Sequence, residues 1–291
     1  MKKPREVVIV SGKGGTGKTS VAAGFADLAA NSVFCDCDVD AANLGLVLGG
    51  EEKESHEFVA SSRAQVDPEK CTRCGLCARV CRFDAFAGPG VVLRGSCEGC
   101  GLCSRVCPTQ AIRMSPVLSG YWYVSETEKG PLVHARLEPG EENSGKLVTL
   151  VRQKAREIAQ SSGRATIVTD GPPGIGCPVI ASLSGADLAV IVTEPTLSGI
   201  HDLERIVDVC RQFRVPAVVC VNKYDIHEEN SRRIEWQCEE MGVSLGGKVP
   251  YDENVPRAMV RGLPVTRYSC PASESIRSLW EAVASSPVRP E

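Results

Sequence analysis

Eight of the fifteen cysteines fall in two runs of one spacing, Cys71, Cys74, Cys77, Cys81 and Cys97, Cys100, Cys103, Cys107. Such close triples bend the chain into a loop whose sulfurs face one soft metal centre. A tetrahedral zinc site uses four ligands in all, so two four-cysteine runs call instead for two [4Fe–4S] clusters. A second run carries different chemistry. Gly12, Lys13, Gly14, Gly15, Thr16, Gly17, Lys18 and Thr19 follow a short apolar segment and open a helical stretch. Glycines let successive backbone N–H groups turn toward phosphate oxygens, and the helix N-terminus adds partial positive charge. In this spacing Lys18 reaches the β- and γ-phosphates of ATP, and the Thr19 hydroxyl ligates Mg2+. An incidental glycine turn is the plain alternative; the strand before and the helix after argue against it.

These groups need a scaffold. Residues 7–11, 33–36, 165–169, 188–193, 217–221 and 243–249 read as strands buried on both faces. Residues 18–30, 146–160, 199–213, 228–241 and 272–284 read as helices. The alternation predicts an α/β fold, a mainly parallel sheet covered by helices on both faces. In the last helix Ile276, Leu279, Trp280 and Val283 share one face, a core stripe rather than a membrane anchor. Between about residues 62 and 117 the periodicity stops and a repeat replaces it. Residues 71–85 and 97–111 agree at nine of fifteen positions, as a duplicated half-unit would. The expected organisation is therefore 1–61 and 118–291 as one domain, interrupted by 62–117 as an inserted module. Residues 121–124 and 132–137 flank a Glu-Lys-Gly turn and read as a hairpin.

The 291 residues are 43% apolar and 24% charged, ordinary for a soluble globular protein. A net charge of −3 gives no bias toward nucleic acid or an anionic membrane. No signal-peptide pattern and no apolar run of about 20 residues is present, so a cytoplasmic protein without membrane or nucleic-acid partners is expected. In that reducing compartment crowded cysteines point to metal rather than disulfides. The scattered Cys35, Cys37, Cys177, Cys210, Cys220, Cys238 and Cys270 read as small buried hydrophobes. For Cys177, redox sensing or a cluster contact is the alternative to a packed thiol. Residues 62–117 hold eight Arg and Lys against four Asp and Glu. That excess compensates cluster charge; a docking face for an acidic redox partner is the sharper alternative.

The cysteine runs resemble those of bacterial two-cluster ferredoxins, where the fourth cysteine of each run ligates the other cluster. The resemblance implies one cluster on Cys71, Cys74, Cys77 and Cys107, and a second on Cys97, Cys100, Cys103 and Cys81. Arg82 replaces the proline usual after the fourth cysteine, whereas Pro108 keeps it. The phosphate segment, with its additional Lys13, resembles the deviant Walker A motif of the MinD/ParA/Mrp and nitrogenase iron-protein family. Asp36-Cys-Asp-Val-Asp-Ala-Ala-Asn-Leu44 resembles that family's switch I, and Asp170-Gly-Pro-Pro-Gly-Ile-Gly176 its Walker B leading into switch II. The whole chain resembles MinD-superfamily P-loop ATPases that carry an inserted ferredoxin-like 2[4Fe–4S] domain, relatives of Mrp. Gly140-Glu-Glu-Asn-Ser-Gly145 belongs to the same resemblance and reads as a loop capping the helix at Lys146.

The resemblance implies a homodimer that closes on ATP, with Lys13 crossing to the partner's nucleotide and Lys18 and Asp38 completing catalysis. Thr19, Asp36 and Asp170 would hold Mg2+; Asn222, Pro250 and Asp252 would lie about the base. Each aspartate also has a plain reading as a turn or helix-cap residue. The implied task is ATP-gated electron transfer to an unidentified redox partner protein. An iron–sulfur cluster assembly or delivery ATPase is the alternative; against it, Cys270-Pro-Ala-Ser offers only one thiol near the C-terminus. A cobyrinic acid a,c-diamide synthase-like enzyme is weaker, since no segment is long enough for a glutaminase domain.

Overall fold

The structure is a computed structural model, and it describes residues 3–141 and 144–286. The chain begins β1 (Arg5–Ser11), α1 (Lys18–Leu28), β2 (Ser32–Asp36), α2 (Leu44–Leu48) and β3 (Glu51–Val66). Then come α3 (Leu76–Val80), β4 (Phe86–Gly88), β5 (Val91–Val92), α4 (Leu102–Val106), β6 (Ile112–Thr127) and β7 (Gly130–Leu137). Next are α5 (Ser144–Ser161), β8 (Thr166–Pro173), α6 (Cys177–Leu183), β9 (Leu188–Thr193) and α7 (Leu197–Gln212). The remainder is β10 (Ala217–Asn222), α8 (Glu228–Met241), β11 (Ser244–Val249), α9 (Asn254–Val260) and α10 (Pro271–Ser285). Two compact units result: residues 1–56, 122–136 and 144–291 form the first, residues 57–121 and 137–143 the second.

Nine strands form one sheet in the order β11-β10-β9-β1-β8-β2-β7-β6-β3. The pairings from β11 through β7 are parallel. Alternate residues of β1 serve opposite faces, as strand geometry requires. Val7 and Ile9 join one core cluster with α1 and α10, while Val8 and Val10 join another with α6, α7 and α8. Each such fully buried aliphatic side chain contributes about 1.5–3 kcal/mol. The stripe of α10 packs in the first cluster: Ile276, Leu279 and Val283 are buried, and Trp280 lies 5.0 Å from the Phe25 ring. Glu6 ties α5 to the sheet, accepting from Arg152 Nε at 2.6 Å and Arg156 Nε at 2.9 Å. The hairpin of β6 and β7 turns on Thr127, whose Oγ1 accepts from the Lys129 and Gly130 backbone.

The second unit carries the repeat into three dimensions. Helices α3 and α4 are equivalent, each preceded by a left-handed glycine, Gly75 at φ 76° and Gly101 at φ 73°. A residue with a Cβ would resist that turn. The duplication reaches other unusual backbone sites too: Arg73 matches Gly99 and Asp84 matches Gln110, all at positive φ. One core cluster here has Ala64, Cys103 and Ile112 as buried members. Cys77, Cys97 and Cys107 pack against it beside Val66, Phe86, Val92 and Met114.

Several expectations change. The boundaries expected at 61/62 and 117/118 fall inside the 16-residue strands β3 and β6. The first seven residues of β3 are all exposed, so no alternation marked it as a strand. β8 continues three residues past Asp170, to Pro173, instead of ending before it. α1 stops at Leu28, where the Ala29 backbone turns extended. Of the loop 140–145, Glu142 and Asn143 lie outside the described residues. Among the described residues, no helix is long and apolar enough to cross a membrane.

Candidate functional site

The phosphate segment, Asp36, Asn222 and Pro250 lie at or beyond the carboxyl ends of parallel strands, Asp170 lies three residues before the end of β8, and β1 stands between β8 and β9. That is where open α/β sheets bind ligands. Gly17 ends the loop at φ 89°, and a Cβ there would stand 2.2 Å from Asn222 Nδ2. Asn222 in turn donates from Nδ2 to the Thr16 carbonyl at 2.7 Å. One of its amide hydrogens therefore braces the phosphate loop.

Lys18 opens α1 and is buried, its Nζ 2.7 Å from Asp170 Oδ1 and 3.5 Å from Asp38 Oδ2. Burial alone would lower its pKa, but the contact and charge of Asp170 outweigh this and raise it. Asp36 and Asp170 are direct neighbours on β2 and β8. Asp36 accepts the backbone N–H groups of Asp38 at 3.1 Å, Asn43 at 3.0 Å and Leu44 at 3.0 Å, which shapes the segment after β2. Burial first, and Asp170 second, push its carboxyl up to about 7. Burial also raises Asp38, against the pull of Lys18. Asp170 Oδ2 and Thr16 Oγ1 are buried without a partner among the described residues. An orphaned carboxylate oxygen beside two further aspartates suits a hydrated Mg2+, with the half-buried Thr19 on the first turn of α1 as its hydroxyl donor. The residues present fit that ion.

Lys13 bonds within its own chain, forming an ion pair of 2.6 Å with Glu194 Oε1. Lys223 meets Glu194 Oε2 at 3.2 Å and the Gly15 carbonyl at 3.2 Å. Neither Glu194 nor Lys223 was singled out from sequence; a charged residue directly after a buried strand, before Pro195, was the available signal. Asp252 acts as a cap: it accepts from Asn254 N at 2.9 Å and Ala272 N at 3.3 Å, in the first turns of α9 and α10. Burial would raise its pKa, but these donors outweigh it and hold the carboxyl low. Asp225 accepts Tyr251 N at 2.7 Å and so joins the loops after β10 and β11. Pro250 lines an open groove of about 840 Å³ with Tyr224, Lys248 and Glu274.

In the second unit the eight cysteines line two cavities. One is lined by Cys71, Cys74, Cys77 and Cys107 with Pro108 and Ile112. The other is lined by Cys81, Cys97, Cys100 and Cys103 with Phe83, Phe86 and Met114. Among the described residues no three His, Cys, Asp or Glu side chains converge on a single ion. A cubane spreads its four thiolates over separate irons, so its cysteines ring a cavity rather than meet at a point. Backbone N–H groups already face the sulfurs, Ala64 N to Cys97 Sγ at 3.4 Å and Ala111 N to Cys107 Sγ at 3.3 Å. Such bonds stabilise cluster-bound thiolates. Each cavity thus presents four thiols. Elsewhere, Cys35, Cys37, Cys210, Cys220, Cys238 and Cys270 are buried, but Cys177 is exposed. The packed-thiol expectation for Cys177 is corrected: it begins α6, where the chain leaves the sheet.

A family model for the CobQ/CobB/MinD/ParA nucleotide binding domain matches residues 7–265. An uncharacterised protein of Methanocaldococcus jannaschii is 33% identical over 280 residues, 95% of each chain. A Pyrococcus abyssi protein named iron–sulfur cluster carrier protein is 25% identical over 297 residues, 95% of this chain and 84% of its own. Among solved structures, the septum site-determining protein MinD of Pyrococcus horikoshii, complexed with Mg-ADP, superposes with a TM-score of 0.60. It is 18% identical, with 97% of this chain and 96% of that one covered, a likeness of fold.

Proposed function

Because the chain belongs to the CobQ/CobB/MinD/ParA nucleotide-binding family, we propose that it is a dimeric MgATPase whose nucleotide cycle gates electron transfer through two [4Fe–4S] clusters in its second unit. The observation that carries the redox half is the pair of cavities, each lined by four thiols in a unit whose buried apolar residues are few and mostly small among the described residues. A unit that small needs more than its apolar core to hold it.

In this reading the loop from Gly12 to Thr19 cradles the phosphates, and Lys18 leaves Asp170 to neutralise the transferring group. Thr19, Asp36 and Asp170 would hold Mg2+, which would offset the charge of the phosphates. Asp38 orients the attacking water and takes its proton as the bond to the leaving ADP oxygen breaks. Lys13 of one subunit reaches the other's nucleotide, much as an arginine finger does. Asn222 keeps the loop in its binding shape; Pro250 and Asp252 bound the base side. The two cysteine sets would hold the clusters, which would supply one-electron transfer. Asp38 and the 170–176 segment move with the γ-phosphate and relay its loss.

The test is anaerobic protein reconstituted with iron and sulfide, reduced, and followed by EPR with and without MgATP. Cubane signals whose reduction rate changes with MgATP are expected. Protein that holds no cubane, or binds no ATP, would defeat the reading. A second reading, delivery of clusters to other proteins, draws on the exposed Cys74 and Cys100 and on the name of the Pyrococcus abyssi relative. Transfer of iron to an added apo-ferredoxin would favour it.

A further inference from the structure

An ammonium has three N–H donors, and those of Lys13 are all matched within its own chain. Glu194 Oε1 lies at 2.6 Å, Ser198 Oγ at 2.9 Å and Thr196 Oγ1 at 3.1 Å. These acceptors are themselves held. Thr196 Oγ1 also accepts Gly199 N at 3.0 Å and caps α7, while Thr193 Oγ1 donates to the Gly199 carbonyl at 3.1 Å. A Cβ on Gly199 would stand 2.3 Å from the Glu194 carbonyl, so this loop has little room to shift. Glu194 itself is only 9% exposed, and its second oxygen is held by Lys223.

We propose that Glu194 is a positioning residue that holds Lys13 inside its own subunit and so sets the threshold at which two nucleotide-loaded subunits close. The proposal rests on the reading of Lys13 as the residue that reaches a partner's nucleotide. To make that reach, Lys13 gives up three well-formed contacts at once. Lys223 is what makes the departure reversible: it stays with Glu194, so no nearly buried carboxylate is left unpaired. The carboxylate thus acts as a competitor for the same ammonium that the partner's phosphates attract. Closure occurs only when the phosphate charge outbids it.

The experiment compares wild type, Glu194→Gln, Ser198→Ala, Lys13→Ala and the Glu194→Gln/Lys13→Ala double variant. Each is loaded with Mg2+ and a non-hydrolysable ATP analogue, and the monomer–dimer midpoint is read by sedimentation. Glutamine keeps the shape and one acceptor, and Ser198→Ala removes a tie without touching the carboxylate. Glu194→Gln is expected to lower the midpoint concentration by about fivefold to about twentyfold, the range of one partly exposed charge-assisted contact. Ser198→Ala is expected to lower it by about twofold, as for one weak hydrogen bond. Lys13→Ala should raise the midpoint, and the double variant should behave as Lys13→Ala alone. A merely structural Glu194 would shift both backgrounds alike, and that result overturns the proposal. So does a Glu194→Gln midpoint that is unchanged or raised while Lys13→Ala still weakens the dimer. If Lys13→Ala dimerises like wild type, the reading of Lys13 fails and the role of Glu194 falls with it.

Discussion

At the scale of single residues the site is a cluster of three carboxylates around one buried ammonium. Among the described residues Lys18 is the only cation in direct contact with Asp170, so its loss strands buried negative charge as well as removing a phosphate ligand. Lys18→Met is expected to abolish ATP turnover and to destabilise the fold by about 3–5 kcal/mol, the cost of breaking a buried pair from one side. Adding Asp170→Asn should recover much of that stability without restoring turnover. Urea unfolding and a phosphate-release assay on both variants check this; a fully stable Lys18→Met would contradict it. Asp36 gives a pH dependence. Its carboxyl is raised to about 7 in the fold against 3.8 for an ordinary aspartate, so the folded state binds the proton more tightly than the unfolded one. Stability from this group is therefore present below pH 3.8 and is lost as pH rises through about 7. The slope is at most about 1.4 kcal/mol per pH unit. Unfolding midpoints measured in EDTA, without nucleotide, should show this decline, and Asp36→Asn should flatten it.

At the scale of elements, the phosphate loop owes its shape to a contact between β10 and the start of α1. Asn222 fills the space that a side chain at position 17 would need, and its amide holds the Thr16 carbonyl. Asn222→Ala is expected to weaken MgATP binding by about tenfold, the effect of one buried hydrogen bond. Gly17→Ala should be more severe, since left-handed backbone strain adds about 1–2 kcal/mol to the clash. Titration with a fluorescent ATP analogue measures both; equal affinity in Asn222→Ala and wild type would count against bracing. The strand β3 is one of the elements that sequence did not reveal. Its polar, exposed first half carries no periodic signal, and only pairing at the end of the sheet makes it a strand.

At the scale of the whole molecule, two units divide the chemistry. The second has so small an apolar core that bound clusters would supply much of its stability. Hydrogen exchange after oxidative removal of iron should therefore rise sharply across residues 57–121, while the α/β unit keeps its protection. Cys107→Ala and Cys81→Ala test the sharing of thiols between cavities. Each is expected to cut iron from about eight to about four per chain, because a cubane needs all four cysteines. Cys107→Ala should spare the cluster beside Phe83 and Met114, and Cys81→Ala the one beside Pro108 and Ile112. Iron analysis with EPR of each variant decides; if either variant lost the opposite cluster, the grouping would be wrong.

Sequence by itself determined the parallel α/β fold, the phosphate loop and the presence of a duplicated cysteine unit. Those features are local: continuous runs of Val and Ile, glycines before a helix, and thiols at fixed short spacings act on chain neighbours whatever surrounds them. Tertiary structure alone decided which distant groups meet. Lys13 and Glu194 are far apart in sequence, as are Asn222 and Thr16, and nothing in either stretch names the other. Asp252, read as lying about the base, also caps helices, because the loop after β11 brings it to the first turn of α10. Burial is likewise a property of the assembled fold. It is burial, and the company of Asp170, that makes Asp36 hold its proton so firmly.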